Sequence, residues 1–140
     1  MLDIALLPGE YAVCRLPAGT AVPAGLLGGA EGSGVVSVTS TADELSVICP
    51  AGRVPAEAVV ETPWRCLQVV GPMDLALTGI LASLAVPLAD ARVNIVAFST
   101  YDTDYLLVPA VRLREALAAL TDAGHRVAGG LGGAPGGTAG

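Results

Sequence analysis

One phrase occurs twice in this chain, and its recurrence limits the fold more than any other feature. Laid without gaps, "TSTADELSVICP" (Thr39 to Pro50) runs over "STYDTDYLLVPA" (Ser99 to Ala110) as strand, polar turn, acidic residue, then an apolar run with proline in or near its end. In that alignment Glu44 falls on Asp104, Val47 on Leu107 and Ile48 on Val108. "YAVCRLP" likewise resembles "RCLQVVGP". Two related units are therefore expected, each built around one strand-turn-strand.

The remaining elements follow from periodicity. "LTGILASLAVPLADARV" places Ile80, Leu84, Leu88 and Ala91 on one helical face, beginning near Thr78 and Gly79, with Pro87 expected to kink the helix or end its regular bonding early. "VRLREALAALTDAG" aligns Leu113, Ala116, Leu117 and Leu120 and stops at Gly124, a suitable C′ residue. Strands are expected at "WRCLQVVG", "NIVAFST", "DYLLVPA" and, weakly, "HRVAG". The first half matches this plan only partly. Its intervening segment, "AGTAVPAGLLGGAEGSG", supports at most a stunted helix, and "PAGRVPAEAVVETP" is read as the remains of a second helix and a linker. The expected division is residues 1–62, a degenerate N-terminal unit; 63–128, a complete one; and 129–140, a flexible glycine-rich tail.

Composition excludes several classes. With 53% hydrophobic and 14% charged residues the chain can bury a core. Seven Lys and Arg against thirteen Asp and Glu, a net charge of -6, argue against nucleic acid. The uncharged run Leu75 to Ala89 contains Pro87 and is too short for a membrane span, and Asp3 stands where a signal peptide carries basic residues. Cys14, Cys49 and Cys66 are odd in number and widely spaced, which suits buried thiols in a reducing cytoplasm better than a disulfide or zinc framework. The single histidine, His125, leaves no histidine-based triad or metal cluster and is read as structural, a helix-terminal cation or an exposed side chain. Nothing here calls for a metal, a cofactor or catalytic residues.

At this point the chain resembles a family. "LTGILASLAVPLADARVNIVAFSTYDTDYLLV" is similar to the second ACT domain of small bacterial tandem-ACT proteins, related to the ACT repeats of aspartate kinases and of cytosolic arginine sensors. "STADELSVICP" resembles the strand pair of their first domain. The resemblance runs from Leu2 to about Gly124 and implies an α+β fold: ferredoxin-like βαββαβ ACT domains in tandem, with antiparallel sheets carrying helices on one face. It implies no catalysis. It implies instead a small effector, most often an amino acid, bound at a domain interface where the loop before the first helix meets a neighbouring strand-turn-strand. Carried over by position, that loop is Gly71 to Gly79, and the facing segments are Ser99 to Asp104 and Thr39 to Glu44.

Those positions hold suitable chemistry. Thr78, Gly79 and Ile80 can offer helix-terminal N–H groups to a carboxylate, with Asp74 and Leu75 in the same loop. Asp74, Asp102, Asp104 or Glu44 can take an ammonium. Thr39, Ser40, Ser99, Thr100 and Tyr101 supply the rest of the polar wall, while Tyr105 is expected to pack on the sheet. Asp102 and Asp43 also have the ordinary role of aspartate in a turn. The expected function is a cytoplasmic regulatory module, a homodimer that binds an amino acid or analogue and acts on a regulated partner protein. Two alternatives stand beside it: a ligand-free adaptor, and a small enzyme using Asp104 or Glu44 as acid/base.

Overall fold

A computed structural model describes residues 2–28, 34–70 and 79–129 and divides the chain into two units, Gly9–Trp64 and the discontinuous Met1–Pro8 with Arg65–Gly140. The sequence places a boundary at residue 62; in the structure the N-terminal unit ends at Trp64 and the first eight residues group with the C-terminal unit. The loop positions Asp74, Leu75 and Thr78, and the tail from 130, lie outside the described residues.

The C-terminal unit runs β1 (Asp3–Leu6), the second half of β5 (Val59–Val69), α1 (Ile80–Asp90), β6 (Val96–Ser99), β7 (Asp104–Pro109), α2 (Leu113–Asp122) and β8 (Arg126–Ala128). The sheet order is β8-β1-β5-β7-β6. Taken from β5 onward this is the ferredoxin-like βαββαβ path, with one addition: β1 lies between the first and last strands, antiparallel to β5 and parallel to β8. Both helices cover one sheet face. Leu84 and Leu88 from α1 and Leu113, Ala116 and Leu120 from α2 join Ile4, Leu6, Leu67, Val69, Leu106 and Val108 in a single buried cluster. The apolar stripe read from sequence is the stripe that packs, although Ile80 is only half-buried.

Helix termination follows from capping chemistry. After α2, His125 N–H donates to Leu120 O at 3.1 Å and Gly124 N–H to Thr121 O at 2.9 Å, with Gly124 at φ 99°. That is a Schellman ending on the expected glycine. After α1 the same pattern recurs through Val93 N–H to Leu88 O and Arg92 N–H to Ala89 O, both 2.9 Å, but here Arg92 holds the left-handed position at φ 61°.

Pro87 does not end α1, which continues to Asp90. Proline has no N–H for the carbonyl four residues earlier, that of Ser83. His125 supplies the missing donor: its Nε2 lies 2.9 Å from Ser83 O. The other ring nitrogen, Nδ1, accepts from Leu2 N–H at 3.1 Å. A backbone amide can only donate, so Nδ1 is the unprotonated nitrogen and Nε2 carries the hydrogen. His125 is structural as expected, yet it is 6% exposed and neutral in this arrangement rather than a helix-end cation or a solvent-facing group.

The N-terminal unit runs β2 (Tyr11–Pro17), β3 (Ser37–Ser40), β4 (Glu44–Pro50), a 3-10 turn (Ala51–Arg53) and the first half of β5, in sheet order β3-β4-β2-β5. This is the ferredoxin-like strand order, with no α-helix among the described residues of the unit. Residues 18–28 form turns, and the expected second-helix remnant shrinks to the 3-10 turn before Pro55. The strand expected from Trp64 starts earlier, at Val59, because the β-branched Val59 and Val60 pair with Arg15 and Cys14. Ala12, Cys14, Leu16, Leu26, Leu45, Val47 and Cys49 form its core. All three cysteines are free and buried.

Candidate functional site

The two hairpins are set by their turns. In the first, Thr41 N–H donates to Glu44 O at 2.9 Å, and the Thr41 hydroxyl oxygen accepts from the amides of Asp43 and Glu44, both at 3.1 Å. In the second, Thr100 N–H donates to Thr103 O at 2.9 Å and its hydroxyl oxygen faces the Thr103 amide at 3.4 Å. Each turn has two central residues, Ala42–Asp43 and Tyr101–Asp102. Asp43 and Asp102 are therefore turn residues at matching positions, and Tyr101, 83% exposed, caps its turn in solvent.

This geometry corrects the gapless alignment by one residue. Matching Thr41 to Thr100 places Pro50 on Pro109, Arg53 on Arg112 and Glu44 on Thr103; Asp104 then matches Leu45. Because side chains alternate along a strand, a one-residue slip exchanges the faces. Glu44 shares its face with Ser46 and Ile48, whereas Asp104 shares its face with Leu106 and Val108, the side on which the helices pack. The recurring acid is not a repeat-related pair.

Asp104 sits at the rim of the C-terminal core. It borders, with Ile4, Leu67, Gln68, Val69, Leu84, Leu106 and Leu120, a crevice too tight for a water-sized sphere. One carboxylate oxygen, Oδ1, accepts from the Ser99 hydroxyl at 2.6 Å, across the Ser99–Asp104 strand pair. Among the described residues no cation pairs with it. On the opposite face Tyr105 stacks on Phe98 with ring centroids 5.2 Å apart, the sheet-packing role expected of it. Burial pushes the Tyr105 hydroxyl up, with Cys66 and Asp102 adding to the shift.

Thr103 has no distinguishing mark in the sequence. It is 4% exposed, and its hydroxyl donates to Val69 O at 2.6 Å, tying the turn to the last residue of β5. A threonine between two aspartates in a turn gives no periodic signal, since neither strand nor helix spacing marks it. Gly79 is the N-cap of α1 at φ 81°, with no side-chain cap, and its carbonyl receives Ser83 N–H at 2.9 Å. Among the described residues the first-turn amides beginning with Ile80 have no side-chain cap, as a carboxylate-binding end requires. Thr39 and Ser40 pair with Ser46 and Leu45 in the N-terminal unit. Among the described residues no group of three His, Cys, Asp or Glu side chains gathers as metal ligands, and no helix is long and apolar enough to cross a membrane.

Comparison with known proteins agrees with this strand and helix order. The ACT-domain family model matches residues 59–122, and a model described as an N-terminal domain matches residues 9–57. A crystallised protein from Agrobacterium tumefaciens is 36% identical, with a TM-score of 0.81 over 90% of this chain and 91% of its own. The aspartate kinase of Clostridium acetobutylicum has the same fold at 14% identity and a TM-score of 0.62, over 86% of this chain and 33% of the kinase. The regulatory subunit of aspartate kinase from Thermus thermophilus, in ligand-free form, gives 13% identity and a TM-score of 0.57 over 86% and 97%. The search of curated proteins found no match. With the βαββαβ path from β5 to β8, the family model on that same path and a relative similar over nearly its whole length, the chain belongs to the ACT-domain family.

Proposed function

We propose that this protein is a regulatory module that binds a free amino acid between the start of α1 and the Ser99–Asp104 turn. The observation that carries the reading is Asp104. It is an acid on the helix-facing side of the sheet, held through Oδ1 by Ser99, with no cation beside it among the described residues. An ammonium group would complete that carboxylate as a charge-assisted pair, while the α1 amides beginning at Ile80 receive the ligand carboxylate. The structural neighbours support regulation rather than catalysis, one being a regulatory subunit of aspartate kinase. No water-sized sphere fits in the crevice below Asp104, which leaves the ligand's side chain to be accommodated on the outward side of that carboxylate.

A thermal-shift screen against the twenty amino acids tests this, because a ligand of the native state raises its melting temperature. Stabilisation by one or a few amino acids, lost in Asp104→Asn, is expected. No stabilisation by any of them at roughly ten times a millimolar Kd would refute it, since such saturation adds more than about 1 kcal/mol.

An adaptor role is the second reading, favoured by α1. Its outward residues include Leu81 and Val86, the latter 57% exposed, an apolar surface suited to a second subunit or a regulated partner. Homodimerisation is checked by light scattering. The enzyme alternative loses its motivation, because Glu44 and Asp104 occupy different positions and opposite faces in their hairpins.

A further inference from the structure

We propose that the N-terminal unit carries a binding site of its own, for a small organic carboxylate, around the Arg53 guanidinium. The site does not depend on the amino-acid site of the C-terminal unit. A cavity of about 360 Å³ opens there, lined by Pro23, Leu26, Arg53, Val54, Pro55 and Ala56 among others. That volume lies within the roughly 300–1,000 Å³ typical of small-molecule sites. Arg53 is the one charged side chain in its lining.

The corrected repeat explains why the guanidinium is available. Arg112 holds the matching position at the end of the other 3-10 turn, and there its fork is fully engaged. Nη1 and Nη2 donate to Arg92 O at 3.3 Å and Ala91 O at 3.2 Å, the C-terminal end of α1, and Nε faces the Glu115 carboxylate at 3.7 Å. In the N-terminal unit no helix stands in the described part of the matching segment, and the residue that matches Glu115 is Ala56. Arg53 therefore keeps one bond, from Nη2 to Leu26 O, and among the described residues its Nε and Nη1 have neither a hydrogen-bond acceptor nor a carboxylate partner. Among the described residues, a cavity and a guanidinium with donors to spare therefore stand in one place.

The chemistry of the lining selects the ligand class. Nε and Nη1 lie on different edges of the fork, but the Nη2 that bonds Leu26 O keeps a second hydrogen, so one two-donor edge, shared by Nη2 with Nε or with Nη1, matches a carboxylate bidentately. Proline, valine, leucine and alanine walls favour a short apolar chain behind that carboxylate over a fully hydrated inorganic ion. A single cation in a chain of net charge -6 suits a monoanion better than a phosphate dianion.

Propionate is the probe, with propionamide as the uncharged isostere. Binding is read from the Arg53 Nε–H resonance in NMR titrations up to roughly 50 mM, which covers Kd values in the millimolar range. A saturable shift with propionate and none with propionamide is expected. The decisive variant is Ala56→Glu, which restores the partner that Arg112 has in Glu115 and, at an exposed position, leaves the core untouched. It should weaken propionate binding by about tenfold or more, as an internal carboxylate takes over the charge-assisted bond. Arg53→Gln should do the same. The proposal is overturned if Arg53 shows no saturable shift, if propionamide binds equally, or if Ala56→Glu binds like the parent. Shifts confined to residues 79–83 would also overturn it, and would instead favour the site at α1.

Discussion

Replacing His125 and Pro87 singly and together tests whether the imidazole stands in for a hydrogen bond that the helix cannot make. His125 bridges Ser83 O at 2.9 Å and Leu2 N–H at 3.1 Å. Removing the ring in His125→Ala orphans a helix carbonyl and a backbone amide and also leaves a void at a 6% exposed position. At about 1 kcal/mol net per bond, with a further penalty for unsatisfied groups, the variant should lose about 2–4 kcal/mol. In Pro87→Ala the new amide can donate to Ser83 O, so the carbonyl no longer depends on histidine. His125→Ala should then cost about 1 kcal/mol less in the Pro87→Ala background than in the parent, a coupling of the size found between groups sharing one acceptor. Urea unfolding followed by far-UV circular dichroism on the four proteins gives that number, provided the m-values agree. Coupling within about 0.3 kcal/mol of zero would refute the compensation, because independent sites add to that precision.

Three further outcomes are expected. Arg92→Gly should stabilise by about 0.5–1 kcal/mol in the same denaturation assay, since φ 61° strains a β-carbon-bearing residue and the Arg92 contact to Arg112 is made by its carbonyl. Thr103→Val keeps the shape but strands Val69 O, and should cost about 1–2 kcal/mol. All three thiols should resist a thiol-specific disulfide reagent in the native state and react in urea. Burial pushes Cys49 and Cys66 up to about 12 from the ordinary 9.0. The sign for stability follows: the unfolded chain releases these thiol protons near pH 9 while the folded chain retains them, so stability is intact below pH 9 and declines as pH rises from there toward 12. Alkaline titration of the urea midpoint checks this.

Local patterns in the sequence were sufficient wherever neighbours along the chain decide the structure. The faces of α1 and α2, the stop at Gly124 and the two polar turns follow from helical spacing, the conformational freedom of glycine and the turn chemistry of threonine and aspartate. The site was less legible. Ser99 and Asp104 were identifiable as polar residues at a turn, but the pairing between them, and the anchoring of Thr103 on Val69, depend on strands meeting across the sheet. The repeat itself is visible in sequence, but a gapless comparison sets its register one residue off, because the acids look alike and the turn hydrogen bonds that count residues leave no trace there.

By itself, then, the sequence determined two hairpin-bearing units, a complete set of helices in only one of them, and an acidic, thiol-burying chain with no recognisable catalytic motif. Tertiary structure alone decided that β1 lies between β5 and β8, that His125 satisfies the carbonyl Pro87 leaves open, that Asp104 and Glu44 face differently, and that Arg53 lacks, among the described residues, the contacts that Arg112 makes. The physical reason is common to all four: each depends on contacts between residues distant in the chain, and side-chain period and capping preference carry information only about near neighbours.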